Sequence, residues 1–259
     1  MAYLYAAVGE KVQSDIFRFR PSRFSAFGDL SSSEQAALHG LAEPYLPYGR
    51  NEVIRAEGQT PPCLYHLFEG WAISSIALED GARQYLKVHL PGDIMGAPSL
   101  PYQNAVETLT TLTQARVSRI SLTALGKIFT DFPRLASFLF LAAQEERVMQ
   151  MDRLAAVGRL DAFRRIASLF VHLHERLILL GHDPAAPIEM PLTQDQIADL
   201  LGLTPIHVNR TLRRMDVEGY VVRKRGQVEL RRLDELRAMV GLPARVVRRD
   251  LAWLPPAQG

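Results

Sequence analysis

The chain has 259 residues, 47% of them hydrophobic and 22% charged, with a formal net charge of +2. This is the make-up of a soluble globular protein, long enough for one large domain or two smaller ones, and it excludes a chain that attracts nucleic acid through bulk basicity. A single cysteine, Cys63, excludes an internal disulfide and leaves too few ligands for a cysteine zinc site or an iron–sulfur cluster.

Residues 1–28 show no helical or strand period, and their mixture of Arg18, Arg20 and Arg23 with Phe17, Phe19 and Phe24 reads as an irregular arm. Ser31 and Glu34 stand at capping-box spacing and open a short helix that runs to about Ala42. From Tyr48 to Ile120 short runs rich in β-branched and aromatic residues are cut by Gly58, Gly70, Gly81, Gly92 and Gly96. That rhythm predicts an antiparallel sandwich or barrel, with a hairpin turn at Asp80-Gly81. Leu122 to Phe132 reads as a helix, and Pro133 starts another.

The stretch Arg134 to Ala156 lacks glycine and proline and carries two apolar series at seven-residue spacing: Leu135, Ala142, Met149 and Ala156, and Leu141, Val148 and Ala155. Two stripes on one helix must both be buried. One can cover the β-domain and the other meet a second copy, so Leu135, Leu141, Ala142, Val148, Met149 and Ala155 are the candidate dimerisation residues. One long helix packed twice within a monomer stands as the alternative. Gly158 reads as a hinge, and a helix from about Leu160 to Leu180 follows, with Phe163, Ile166, Ala167, Phe170, Val171, Leu173 and Leu177 on its buried side.

Thr193 to Met215 carries the densest signal. Thr193 and Gln196 form a second capping box, Gly202 suits the left-handed position past a helix end, and Thr204-Pro205 is a hydroxyl cap with proline at the first helical position. Val208, Leu212 and Met215 face inward at helical spacing, which leaves Ile206, His207, Asn209, Arg210, Arg213 and Arg214 for an outer face. Two short helices joined in this way have the form of a helix-turn-helix DNA reader. Beyond them Tyr220–Val222 and Val228–Leu230 flank a basic hairpin, Arg223 to Gln227, placed to act as a wing. Leu233 to Val240 is a last short helix, and the tail from Pro243 is peripheral. Between Leu203 and Arg232 eight Arg or Lys face three Asp or Glu, so the basic surplus is concentrated where a phosphate backbone would lie.

In this order the parts resemble the Crp/Fnr family of bacterial transcription regulators over roughly residues 45 to 240. The likeness is carried by EGQTPPCLYHLFEG, by PGDIMG at Pro91 to Gly96, by GRLDAFRRIASLF from Gly158, and above all by LTQDQIADLLGLTPIHVNRTLRRM. It implies an α+β chain: an irregular arm at 1–28, an antiparallel β-roll of jelly-roll type with flanking helices at 29–133, a dimerisation helix at 134–157, a winged helix-turn-helix at 158–242 and a tail at 243–259. It also implies a homodimer on two-fold related double-stranded DNA, with RNA polymerase as a partner; no nucleophile elbow, Walker loop, metal cluster or acid pair is found in the sequence, so no enzymatic activity is expected. The reducing cytoplasm fits the lone cysteine, and no apolar run is long enough to span a membrane.

Position by position, the resemblance gives Arg210 a guanine-reading role and Thr204 a phosphate contact, and sets Asn209 where some members use a serine toward bases. Ile206 stands where most members carry a glutamate, and Pro205 replaces an arginine or a small apolar residue, so the half-site is expected to differ from that of the best-known members. Thr193, Gln194, His207, Arg213, Arg214, Lys224 and Arg225 complete the candidate DNA contacts. Members that bind cyclic nucleotide have a glutamate where this chain has Ala97, and an Arg-Ser pair near Ala105-Val106. No lysine or arginine occurs between Lys87 and Arg116, so a buried cyclic phosphate has no cation there and none is expected to bind. No metal site is expected: His172 and His174 fall on different helix faces. Nothing cationic neighbours Cys63 in sequence to lower its pKa. The effector is left unassigned. A ligand-sensing or protein-docking module, whose winged domain contacts another protein, is the alternative function.

Overall fold

The computed structural model describes residues 24, 27–60, 63–241, 247–248 and 250–256. In chain order the first elements are α1 (Ser32–Gly40), β1 (Leu46–Tyr48), β2 (Val53–Arg55), β3 (Cys63–Glu69), β4 (Ala72–Ala77), β5 (Arg83–His89), β6 (Ile94–Met95), β7 (Thr108–Thr111) and β8 (Ala115–Ser121). There follow α2 (Leu122–Asp131), α3 (Pro133–Arg159), α4 (Ala162–Leu179), β9 (Ile188–Glu189), α5 (Gln194–Leu201), α6 (Pro205–Val217), β10 (Val221–Lys224), β11 (Gln227–Leu230) and α7 (Leu233–Val240). They fall into two compact units. The first draws its described residues from 24–72, 91–140 and 248–256, and the second comprises Ile73–Leu90 and Leu141–Val247. No helix among the described residues is long and apolar enough to cross a membrane.

The first unit is built on an antiparallel sheet in the order β1-β8-β3-β6, with β2 paired to β7. Strand β3 is buried at six of its seven positions, so its residues read as a continuous apolar run rather than an alternation. Cys63, Tyr65, Leu67, Met95, Leu109 and Val117 pack together as the core of this β-roll. Gly70, at φ 85°, is required where it stands, because a Cβ there would lie 2.3 Å from the Gln114 carbonyl oxygen. The capping box of α1 forms as its spacing predicts: the Glu34 amide donates to Ser31 Oγ at 3.3 Å, and the Ser31 amide donates to Glu34 Oε2 at 2.8 Å. The same carboxylate receives Arg134 Nη1 at 2.6 Å, and the Arg134 guanidinium lies 4.7 Å from the centre of the Phe138 ring. Phe24 and Phe27 are buried; Phe17, Arg18, Phe19, Arg20 and Arg23 lie outside the described residues.

The second unit holds the C-terminal helices and the hairpin β4–β5, which turns at Asp80-Gly81 as expected, with the Leu78 amide donating to the Ala82 carbonyl at 2.8 Å. Residues 73–90, which the sequence division places with the β-roll, cluster by their contacts with the C-terminal helices. Strand β5 ends its sheet, and an edge strand leaves backbone groups in need of partners. Arg153 Nη2 donates to the Tyr85 carbonyl at 3.1 Å, Arg176 Nη1 to the Val88 carbonyl at 3.0 Å, and Gln84 Nε2 to the Asp199 carbonyl on α5. Phe163, Ile166, Ala167, Phe170, Val171 and Leu173 are buried on α4 as predicted, and Leu177 is half-buried.

One expectation about the long helix is corrected. Gly158 lies inside α3, and the break comes at Leu160-Asp161, where the Asp161 carboxylate accepts the Arg164 amide at 2.9 Å and caps α4. The residues named for a dimer seam differ in how far the chain itself covers them. Leu135, Ala142 and Ala156 are buried within the chain, and Leu141, Val148 and Met149 are half-buried; of the predicted seam only Ala155 is exposed. The open stripe instead carries Phe140, Arg147 and Leu154 at seven-residue spacing, with Met151 beside it; Leu154 is 74% exposed. A heptad period reveals that two stripes exist, and only packing decides which of them the chain covers itself.

Candidate nucleic-acid interface

Local chemistry sets the angle between the two reader helices. The Gln196 amide donates to Thr193 Oγ1 at 3.2 Å and the Thr193 amide donates to Gln196 Oε1 at 2.9 Å, which closes the start of α5. Gly202 ends α5 in the left-handed region at φ 63°, and the Leu203 amide returns to the Ala198 carbonyl at 2.9 Å. Thr204 Oγ1 accepts the His207 amide at 3.3 Å, and Pro205 takes the first helical position of α6. Val208, Thr211, Leu212 and Met215 then point inward.

The opposite face of α6 is open. Ile206, Arg210, Arg213 and Val217 follow one another at four, three and four residues, and all are exposed. Pro205, His207 and Arg214 are exposed beside them, and Asn209 is half-buried. Asn209 Nδ2 donates to Gln194 Oε1 at 2.8 Å, which ties the two reader helices together. Arg210, Arg213, Lys224 and Arg225 make no ion pair among the described residues.

Arg214, exposed on the same helix, also has partners within the protein. Its Nε donates to Glu218 Oε1 at 2.7 Å and its guanidinium lies 5.0 Å from the centre of the Phe163 ring, so it holds α6 to α4. The carboxylate beside it raises its pKa further above the ordinary arginine value.

The wing forms from β10 and β11, with Lys224 opposite Gln227 and β9 pairing on the far side of β11. Its two turn residues, Arg225 and Gly226, have φ of 52° and 78°, the left-handed pair that a two-residue hairpin loop demands. Arg223 had been grouped with the basic wing residues. It forms a bidentate pair with Asp216 of α6 instead, Nη2 donating to Oδ2 at 2.6 Å and Nε to Oδ1 at 3.2 Å. That clamp sets the wing against the reader helix and leaves Lys224 and Arg225 at its tip. Nothing in the seven-residue separation of Asp216 and Arg223 announces the pair, since it forms across a helix–strand corner.

In the β-roll the turn after β6 is tight: Gly96 lies at φ 88°, and Ala97–Ser99 make one 3₁₀ turn. Between Lys87 and Arg116 the sequence offers no cation, but the fold brings one from β2. Arg55 is 3% exposed, with Nη2 donating to Ser99 Oγ at 2.9 Å and lying 3.6 Å from Glu107 Oε1. His66 is fully buried with its Nδ1 2.9 Å from the Tyr45 hydroxyl, and burial pulls its pKa down to about 4. Cys63 is buried too, and Arg119 Nε approaches its Sγ at 3.4 Å from the neighbouring strand, a cation that sequence adjacency did not reveal. Among the described residues no group of three or more His, Cys, Asp or Glu could hold a metal.

A β-roll, long helices and a winged helix-turn-helix with an uncompensated basic face define a DNA-binding regulator. Comparison with known proteins agrees. The family model for the cyclic nucleotide-binding domain matches residues 45–132, and that for the Crp-like helix-turn-helix domain matches residues 164–239. The chain is 27% identical over 196 residues to the transcriptional activatory protein AadR of Rhodopseudomonas palustris, covering 75% of this chain and 80% of that one. It is 26% identical to the nitrogen fixation regulation protein FixK of Bradyrhizobium diazoefficiens, over 71% of this chain and 76% of that one. The solved structure of FixK2 from Bradyrhizobium japonicum shares the fold at a TM-score of 0.69 and 24% identity, covering 78% of this chain and 99% of that one. The chain belongs to the Crp/Fnr family and is a transcription regulator with a DNA-binding helix-turn-helix domain.

Proposed function

We propose that the protein acts in the cytoplasm as a homodimer on a two-fold related double-stranded DNA site, one α6 in each major groove, with RNA polymerase as its partner and without a cyclic nucleotide. The observation that carries this reading is the open stripe of α6, with Arg210 and Arg213 unneutralised and Lys224 and Arg225 at the adjacent wing tip. Arginine in a major groove reads guanine O6 and N7 with both nitrogens, while cations at the flanks meet phosphates. The apolar stripe of Phe140, Met151 and Leu154 supports pairing of two α3 helices.

The absence of a cyclic nucleotide is argued from the cation-free stretch between Lys87 and Arg116 and from the Arg55 guanidinium beside the Gly96 turn, which already faces the Glu107 carboxylate at 3.6 Å and donates to Ser99 Oγ. Selection of bound fragments from genomic DNA, followed by binding measurements on the recovered duplexes, tests the reading. A two-fold symmetric motif with guanine in each half is expected. Failure to shift any genomic duplex at low salt would instead support a protein-docking role for the winged domain. Addition of cyclic AMP or cyclic GMP is expected to leave both the melting temperature and the DNA affinity unchanged.

A further inference from the structure

The second residue of the reader helix is out of keeping with its surroundings. Ile206 is 79% exposed on the same stripe as Arg210 and Arg213. A single exposed isoleucine needs no explanation on an ordinary surface. This one stands one helical turn from the guanidinium that the proposed function aims at a guanine, at the end of α6 where Pro205 has no amide hydrogen and Thr204 already takes the His207 amide. On the stripe of Arg210 and Arg213 the first turn of α6 therefore presents the Ile206 hydrocarbon where it is placed to meet base edges.

Base pairs in the major groove present donors and acceptors, with one apolar exception, the 5-methyl group of thymine. Isoleucine offers no hydrogen bond. Pressed against a G·C pair it would displace water from O6, N7 or N4 and replace it with nothing. Pressed against thymine it buries one methyl group against another. Four residues of helix rise about 6 Å, which spans between one and two base-pair steps.

We infer that Ile206 is a specificity-determining residue that reads a thymine 5-methyl group one or two base pairs from the guanine read by Arg210, so that each half-site holds a thymine and a guanine at that fixed spacing. The inference rests on the proposed DNA binding but can fail separately from it.

The test replaces each thymine of the selected duplex by deoxyuridine in turn, which removes only the methyl group, and measures the dissociation constant of the full-length dimer by fluorescence anisotropy. At one thymine per half-site the loss should weaken binding roughly fourfold, and roughly fifteenfold when both half-sites are changed. Ile206→Ala should bind the thymine and deoxyuridine duplexes equally. At that position 5-methylcytosine should bind the wild type better than cytosine does, and Ile206→Glu should move the preference to a C·G pair, whose cytosine N4 donates to a carboxylate. Because Ile206 is exposed, both variants should keep the wild-type melting temperature. If no thymine discriminates, or if Ile206→Ala still discriminates, the inference is wrong while DNA binding stands. If no duplex is bound at all, the reading beneath it fails.

Discussion

Asn209 donates from Nδ2 to Gln194 Oε1 at 2.8 Å, tying the middle of the reader helix to the first turn of α5. The bond has a direction, and that direction decides what faces the DNA. The two Gln194 amide hydrogens stay available to a phosphate, and Asn209 keeps its own oxygen and one hydrogen for a base edge or a water. Asn209→Asp preserves the shape but cannot donate. It should force the Gln194 amide to turn over and add a negative charge, weakening DNA binding by roughly one to two orders of magnitude. Anisotropy titrations check this, and an unchanged affinity would show that the pair has no part in the interface.

The cations divide into three kinds by position and partner. Arg210 has none and lies on the central stripe, so Arg210→Ala should cost about 1–3 kcal/mol on the selected site and almost nothing on random duplex. Lys224, at the wing tip, should weaken binding to every sequence when changed to Ala and reduce the salt slope by about one per protomer. Arg214 is held by Glu218 and Phe163, so Arg214→Ala should leave the salt slope unchanged and lower the melting temperature. A reduced salt slope for Arg214→Ala would return that residue to the interface.

Arg225 stands at φ 52° in a turn position that suits asparagine far better. An arginine there costs stability, which the proposed phosphate contact explains. Arg225→Asn should raise the melting temperature by about 1–3 °C while weakening DNA binding several-fold. Opposite signs in calorimetry and in binding are the outcome to look for. A variant that is more stable and binds equally well would leave the strained arginine without a function.

His66 gives the β-roll a pH dependence of known sign. Its ordinary pKa of 6.5 is lowered to about 4 by burial, with Asp93 pulling weakly the other way. As pH falls, the unfolded chain takes the proton first. The stability that depends on a neutral His66 is therefore complete above about pH 6.5 and lost between there and about pH 4, a difference of roughly 3 kcal/mol. Urea midpoints measured across that interval should fall steeply for the wild type and more gently for His66→Gln. Parallel curves for the two proteins would remove His66 as the cause.

The exposed stripe of α3 predicts where a partner copy would press. Leu154→Glu places a charge on the proposed seam without touching the covered stripe, so it should shift the protein from dimer to monomer in sedimentation and cost DNA affinity. Ala142→Glu, on the covered stripe, should instead destabilise the protomer, because it buries a charge. A Leu154→Glu protein that stays dimeric would place the seam elsewhere.

Much of this molecule was legible in its residues. Both capping boxes, the Gly202 turn, Thr204-Pro205, the inward Val208, Leu212 and Met215 and the Asp80-Gly81 hairpin depend on interactions between residues a few positions apart, and local spacing reports such interactions directly. The β-rhythm from Tyr48 to Ile120 and the order of the parts were enough to reach the fold class and the Crp/Fnr resemblance.

Whatever depends on residues distant in sequence had to wait for the fold. Chain order alone places the Cys63 thiol far from Arg119, and Arg55 outside the cation-free stretch that argued against a cyclic phosphate; strand pairing and burial bring both cations in. The contacts of Arg214 with Glu218 and Phe163, the Arg223–Asp216 clamp and the open stripe of Phe140, Arg147 and Leu154 are likewise choices among partners of equal chemical suitability. The residues by themselves determined that a basic reader helix exists and which side chains it carries, because a helix places its faces by counting. Which of those cations remain available for DNA was decided only by the tertiary structure, because a charge is committed by whatever the fold sets within about 3 Å of it.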